Sequence, residues 1–149
     1  MANNLDTSKG LQIWLPLTKD LSNQGIAKTN ITSNAIYDAS GKLGGCYKNG
    51  KISSGWGMGY NACAGLTAMC WCKFSDTTTN AMILSSVHNY PNNTRFYLGC
   101  YNGYFSGGLG DTGWGDSAAD RKIEINKWYH VCMTAEGTKW TLYINGNKV

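Results

Sequence analysis

Charge is scarce in this chain: charged residues make up 15% of its 149 residues, against roughly 25% in an ordinary soluble domain. The net charge is only +4, and the lysines are spread from Lys9 to Lys148. A nucleic-acid binder concentrates its cations on one face, so nucleic acid is not an expected partner. Proline occurs twice, and no apolar run approaches the roughly 18 residues of a membrane span, which leaves no expectation of a membrane helix. Long helical periodicity is also missing. The opening Met1-Ala2-Asn3-Asn4-Leu5-Asp6 has neither the charged nor the apolar region of a secretory signal, which implies a product made in a reducing cytosol. There the six cysteines act as small apolar side chains and not as a disulfide framework.

What is present is alternation. Leu11, Ile13, Leu15 and Leu17 share one face of an extended segment. Leu66, Ala68, Cys70, Cys72 and Phe74 form a second row, opposed by Thr67, Met69, Trp71 and Lys73. Both of its rows are largely apolar, which predicts a central strand covered on both sides. Residues 81–87, 95–101 and 104–109 read as further strands between Asn, Pro and Gly clusters. Trp128–Thr134 and Lys139–Ile144 read as a hairpin around Ala135-Glu136-Gly137-Thr138. Asn145-Gly146 suits a type I′ turn, whose two central residues take positive φ, so a strand should follow it. Asp116–Lys122 is the one helical candidate, a single turn capped by Asp116. The expectation is one all-β domain over residues 1–149, a two-sheet antiparallel jelly-roll sandwich, with Trp14, Trp71, Trp128 and Trp140 in its core.

Trp128-Tyr129-His130-Val131-Cys132-Met133-Thr134 followed by Trp140-Thr141-Leu142-Tyr143-Ile144-Asn145-Gly146 resembles the laminin G-like and pentraxin-like branch of the concanavalin A-like jelly rolls. That branch pairs a W-x-H-[VI] strand with an L-Y-[IV]-N-G strand. Leu66–Phe74 is similar to its earlier strand, and Leu15-Pro16-Leu17 and Gly41-Lys42-Leu43-Gly44-Gly45 to its first ones. The resemblance implies further strands beyond the Asn-Gly turn, so the domain is expected to be incomplete at its C-terminal end, with an open sheet edge completed by other chains or a second copy. It also implies a bridge from Cys132 to the earlier strand. Cys132 aligns with Met69, however, one residue from Cys70, and a one-residue slip turns a strand side chain to the other face.

Glycoside hydrolysis needs two carboxylates flanking the scissile bond. None of the nine acids has another two residues away on a predicted strand, and Glu124, the one glutamate on a plausible strand, has Lys122 and Asn126 as same-face neighbours. For nucleophilic catalysis the candidates are Cys132 or Ser86 with His88 or His130, and the pair His130 and Cys132, about 6–7 Å apart along one strand face, is a poor relay by geometry. A zinc set of Cys70, Cys72, His130 and Cys132 has suitable ligand types, but packing is the simpler role. The acids of the glycine-rich segment 110–120 suit calcium by chemistry but fit no calcium-loop spacing; no cofactor is expected. The remaining signal is aromatic. Tyr and Trp carry an apolar body with a polar tip, which suits the C–H faces of sugars, and asparagine both donates and accepts. The residues expected at a ligand rim are Tyr90, Asn92, Tyr101, Tyr104, Asp111 and Trp114.

The leading expectation is therefore a non-enzymatic module that binds surface glycans. The resemblance implies a setting as well: a bacteriophage virion component such as a fibre, decoration protein or tail adhesin, made in the bacterial cytoplasm. A purely structural virion or protein-interaction module is the second reading, and a glycoside hydrolase the third.

Overall fold

The computed structural model describes residues 13, 15–17, 19, 21–27, 29–54, 65–86, 96–109, 118–136 and 139–149. The described residues hold strands and turns and no helix. The chain divides into two compact units, residues 1–56 and 57–149.

In the first unit, β1 (Thr32–Ser33) pairs with β4 (Ile52–Ser53), and β2 (Ile36–Gly41) pairs with β3 (Gly44–Lys48). The Gly41–Gly44 segment that resembles early family strands makes the turn of this hairpin. Asp38 and Lys48 form an ion pair at 2.6 Å across it. That bond, with the Ser40 hydroxyl and amide, holds the Asp38 carboxyl below its ordinary range. Tyr37 and Tyr47 meet edge to face at 5.5 Å. Of the expected strand at residues 11–17, the described residues Ile13 and Leu15–Leu17 carry no strand, and Leu17 has φ 58°, which an extended run does not accommodate; Leu11, Gln12 and Trp14 lie outside the described residues.

The second unit contains two four-stranded antiparallel sheets. One is built from β5 (Gly65–Lys73), β10 (Trp128–Glu136), β11 (Lys139–Ile144) and β12 (Asn147–Lys148), in the order β12-β11-β10-β5. The other runs β6-β7-β8-β9, from β6 (Ala81–Ser85), β7 (Phe96–Tyr101), β8 (Tyr104–Leu109) and β9 (Ala118–Lys122). Their inner faces share one apolar cluster: Leu98, Cys100 and Phe105 from the second sheet, Tyr129, Val131, Leu142 and Ile144 from the first. Phe74, Phe105 and Tyr129 chain edge to face through it, at 6.0 and 5.1 Å. Alternation explains the selection. On β10, Tyr129, Val131, Met133 and Ala135 are buried while the residues between them are not, as a half-buried strand requires.

Three expectations change. Residues 118–122 are a strand, not a helical turn, because they pair with β8, and pairing outweighs a weak local preference. Strand β5 has one neighbour among the described residues, at the edge of its sheet, and its Thr67–Met69–Trp71–Lys73 row is exposed. It is not a central strand covered on both sides. Trp71, expected in the core, therefore faces outward at 37% exposure, beside Met69 at 56%; Trp128, on the outward row of β10, is half-buried under Lys73, whose Nζ lies 5.2 Å from the ring centroid. Trp140 does pack on the core.

The Asn145-Gly146 turn forms as expected, with φ of 51° and 82°, and β12 follows it to pair with β11. Asn145 also ties the turn to the neighbouring strand: its Oδ1 accepts from His130 N at 2.9 Å and its own N–H donates to His130 O at 2.8 Å.

Candidate functional site

Four of the six expected rim residues, Tyr90, Asn92, Asp111 and Trp114, lie outside the described residues. The other two come together. Tyr101 and Tyr104 are cross-strand partners at the tip of the β7–β8 hairpin, closed by Asn102 (φ 50°) and Gly103 (φ 84°). Two positive φ values make this a type I′ turn, which matches the twist of the flanking strands and restricts the second position to glycine or a similar residue. Directly opposed residues point to the same face, so both half-buried tyrosines project from one face of the hairpin, the face away from the shared core.

The surroundings fix the tip. Asn102 N–H donates to Asn80 Oδ1 at 3.0 Å, and Ile123 N–H donates to Gly103 O at 2.8 Å. Lys122 is the cross-strand partner of Tyr104, which places a cation on the tyrosine face. On the β5–β6 connection, Asp76 accepts from Thr78 N–H and from the Thr78 and Thr79 hydroxyls. These bonds, the Thr78 amide first, hold its carboxyl below the ordinary carboxylate value, so it is ionised and turned toward its own loop.

One row inward from the tyrosines on the same face sits Ser106, opposite Gly99. Its side chain is fully buried, and Oγ has no hydrogen-bond partner among the described residues. Such atoms are rare in folded proteins. Ser106, Lys122 and Asn80 were not legible as site residues, since each owes its position to pairing or packing with a distant segment.

The chemistry considered for catalysis and metal binding is dispersed. Cys70 and Cys72 lie on the inner face of β5, whereas His130 and Cys132 lie on the outer face of β10, so these four side chains cannot converge on one ion. No group of three or more metal-ligating side chains occurs among the described residues. The register places Cys132 opposite Met69 and Val131 opposite Cys70, and the described cysteines are free thiols. A hydrogen bond with Cys70, together with burial, holds the Cys72 thiol well above its usual range, and burial raises Cys100 and Cys132. His130 packs edge to face on Trp71 at 5.3 Å. Glu124 lies in the β9–β10 connection and not on a strand, ion-paired to Lys127 at 2.6 Å. The glutamate that does lie on a strand is Glu136, the last residue of β10.

Residues 58–149 match a laminin G family model described as the concanavalin A-like lectin/glucanases superfamily. The matched span falls within the second compact unit. No curated protein and no solved structure matches the chain.

Proposed function

We propose that this chain, which belongs to the concanavalin A-like lectin/glucanases superfamily, is a non-enzymatic carbohydrate-binding module that engages surface glycans through the tyrosine face of its β7–β8 hairpin. The observation that carries the reading is the pairing of Tyr101 with Tyr104 across a type I′ turn. Two tyrosines on one face of the hairpin offer ring surface for sugar C–H groups, and their hydroxyls and the Lys122 ammonium supply hydrogen bonds at its border. Tyr90, Asn92, Asp111 and Trp114, which lie outside the described residues, enter this proposal as further ligand contacts on their side-chain chemistry alone, and adhesion of a bacteriophage virion is the setting that the sequence resemblance implies. Bond cleavage is not part of it. Glu136 ends its strand and Glu124 is held by Lys127, so the described glutamates do not make the facing pair that glycoside hydrolysis uses.

Glycan-array binding by the intact chain tests this. Tyr101→Ala and Tyr104→Ala should each weaken binding by about five- to tenfold, the worth of one lost aromatic contact, while Tyr104→Phe keeps most of it. Full binding in both alanine variants refutes the reading. A second reading, a structural interaction module, is favoured by the exposure of Met69 and Trp71 on the outer face of the β5 sheet. It predicts that Trp71→Ala disrupts assembly and leaves saccharide binding intact.

A further inference from the structure

Strand β5 carries two cysteines on its inner row. Cys70 and Cys72 stand two residues apart and are both half-buried, on a strand whose alternate residues share a face. The register sets them opposite Val131 and Tyr129 of β10, and both pack against the core cluster to which those residues belong. A hydrogen bond joins one thiol to the other. Spacing alone does not produce that contact: two residues of extended backbone advance the chain by about 6.6–6.8 Å, so the side chains lean toward each other to meet. The other described cysteines have no thiol opposite them. Cys46 faces Asp38, Cys100 faces Ala81 and Phe105, and Cys132 faces Met69 and Tyr143.

The surroundings favour a neutral pair. Most metal ions and alkylating reagents require the thiolate, and two thiolates on an apolar wall would be charges taken out of water without a partner. Lys73, next in the chain, does not offset them, because it lies on the outer row with its Nζ over the Trp128 ring. Structural zinc takes four ligands, and no group of three or more ligating side chains occurs among the described residues. A singly charged soft ion such as copper(I) would leave one negative charge on the pair. What fits is an electrophile that joins both sulfurs, carries off both protons and leaves no charge behind.

We propose that Cys70 and Cys72 form a dithiol site for monosubstituted trivalent arsenicals. An R–As=O group condenses with the two thiols: two As–S bonds form, both S–H protons leave with the arsenic-bound oxygen as one water, and arsenic stays trivalent, so no oxidant or reductant enters. The product carries arsenic on both sulfurs and is neutral. Trivalent arsenic is pyramidal and holds two sulfurs on one side of itself, close together, as hydrogen-bonded thiols already are. A linear ion such as mercury(II) needs them apart, on opposite sides. Once the first As–S bond exists the second is intramolecular, with its sulfur held at hand by the strand. A single thiol has no second bond to offer, so Cys46, Cys100 and Cys132 give only adducts that excess monothiol removes. The site is independent of the tyrosine hairpin, and either can fail without the other.

The test treats the intact, folded chain with phenylarsine oxide in excess glutathione and reads the product by native mass spectrometry. One equivalent should bind and resist the glutathione, and dimercaptopropanol, itself a dithiol, should remove it. Cys70→Ser and Cys72→Ser should each abolish the glutathione-resistant adduct, while Cys46→Ser, Cys63→Ser and Cys132→Ser keep it. Should a serine variant fail to fold, judged by near-ultraviolet circular dichroism, fragment ions of the native adduct decide, and they should place the arsenic on Cys70 and Cys72 together. The proposal is overturned if the folded chain takes up no glutathione-resistant arsenical, if the adduct survives in folded Cys70→Ser or Cys72→Ser, if the fragment ions place it on other cysteines, or if it forms only after unfolding in urea.

Discussion

Replacing Ser106 with alanine should make the protein more stable, the reverse of the usual result for a fully buried side chain. The hydroxyl has lost its hydration and has gained no partner among the described residues. A buried polar group left without a hydrogen bond costs about 1–3 kcal/mol. Deleting the oxygen removes that cost and forfeits several dispersion contacts of about 0.1–0.2 kcal/mol each. The net gain is about 1 kcal/mol, or about 4 °C in melting temperature for a chain of this size. Urea denaturation followed by tryptophan fluorescence measures it directly. The midpoint should rise while the slope stays constant, because the surface exposed on unfolding is unchanged. A midpoint shift that corresponds to a loss of about 1 kcal/mol or more in stability would mean that Ser106 Oγ makes a bond worth keeping, and the reasoning would fail.

Other substitutions separate the roles of the strands. Asn145→Ala loses the bond to His130 N and puts a Cβ-bearing residue without a compensating side chain at φ 51°; it should cost about 2 kcal/mol, and Asn145→Asp about half of that, in the same urea assay. Phe105→Ala, at the centre of the edge-to-face chain, should cost about 3–5 kcal/mol, whereas Trp71→Ala on the outer face should cost about 1 kcal/mol or less. Acid should destabilise the fold through Asp38 and Asp76. Both carboxyls are held below the ordinary 3.8 in the folded state, so the unfolded chain takes up protons first, and the stability they contribute is present above that value and lost as pH falls below it. Melting temperatures recorded down to strongly acidic pH should fall there, and less so in Asp76→Asn; identical profiles would contradict the assignment.

The all-β fold was legible because it rests on local alternation. The inner row of β5, Leu66, Ala68, Cys70 and Cys72, is the row that the spacing selects, and the Asn-Gly pair announced the β11–β12 turn. The same signature stands at Asn102-Gly103, but Tyr101 and Tyr104 were legible only through their chemistry, as aromatics beside asparagine and glycine, and their pairing across the turn was not. Other features depend on which strands lie next to one another, and period-2 patterning carries no record of that. Strand β9 is extended by its pairing with β8. Two apolar rows on β5 suggested a strand covered on both faces, but one of those rows, with Met69 and Trp71, faces outward. The β2 strand, Ile-Tyr-Asp-Ala-Ser-Gly, has too little apolar alternation to stand out.

The one-residue offset between Cys132 and Cys70 has a bearing on lifetime. Native pairing assigns the two thiols to opposite sides of a sheet, and Cys70, Cys72 and Cys100 pack in or against the core cluster. In an oxidising medium the folded molecule therefore gains no covalent staple between Cys132 and Cys70, while any excursion to the unfolded state frees several sulfurs to join in combinations the fold cannot accept. Each such excursion becomes a one-way exit. Persistence outside a reducing compartment is then governed by how rarely the sandwich opens, and not by the equilibrium between its folded and unfolded forms.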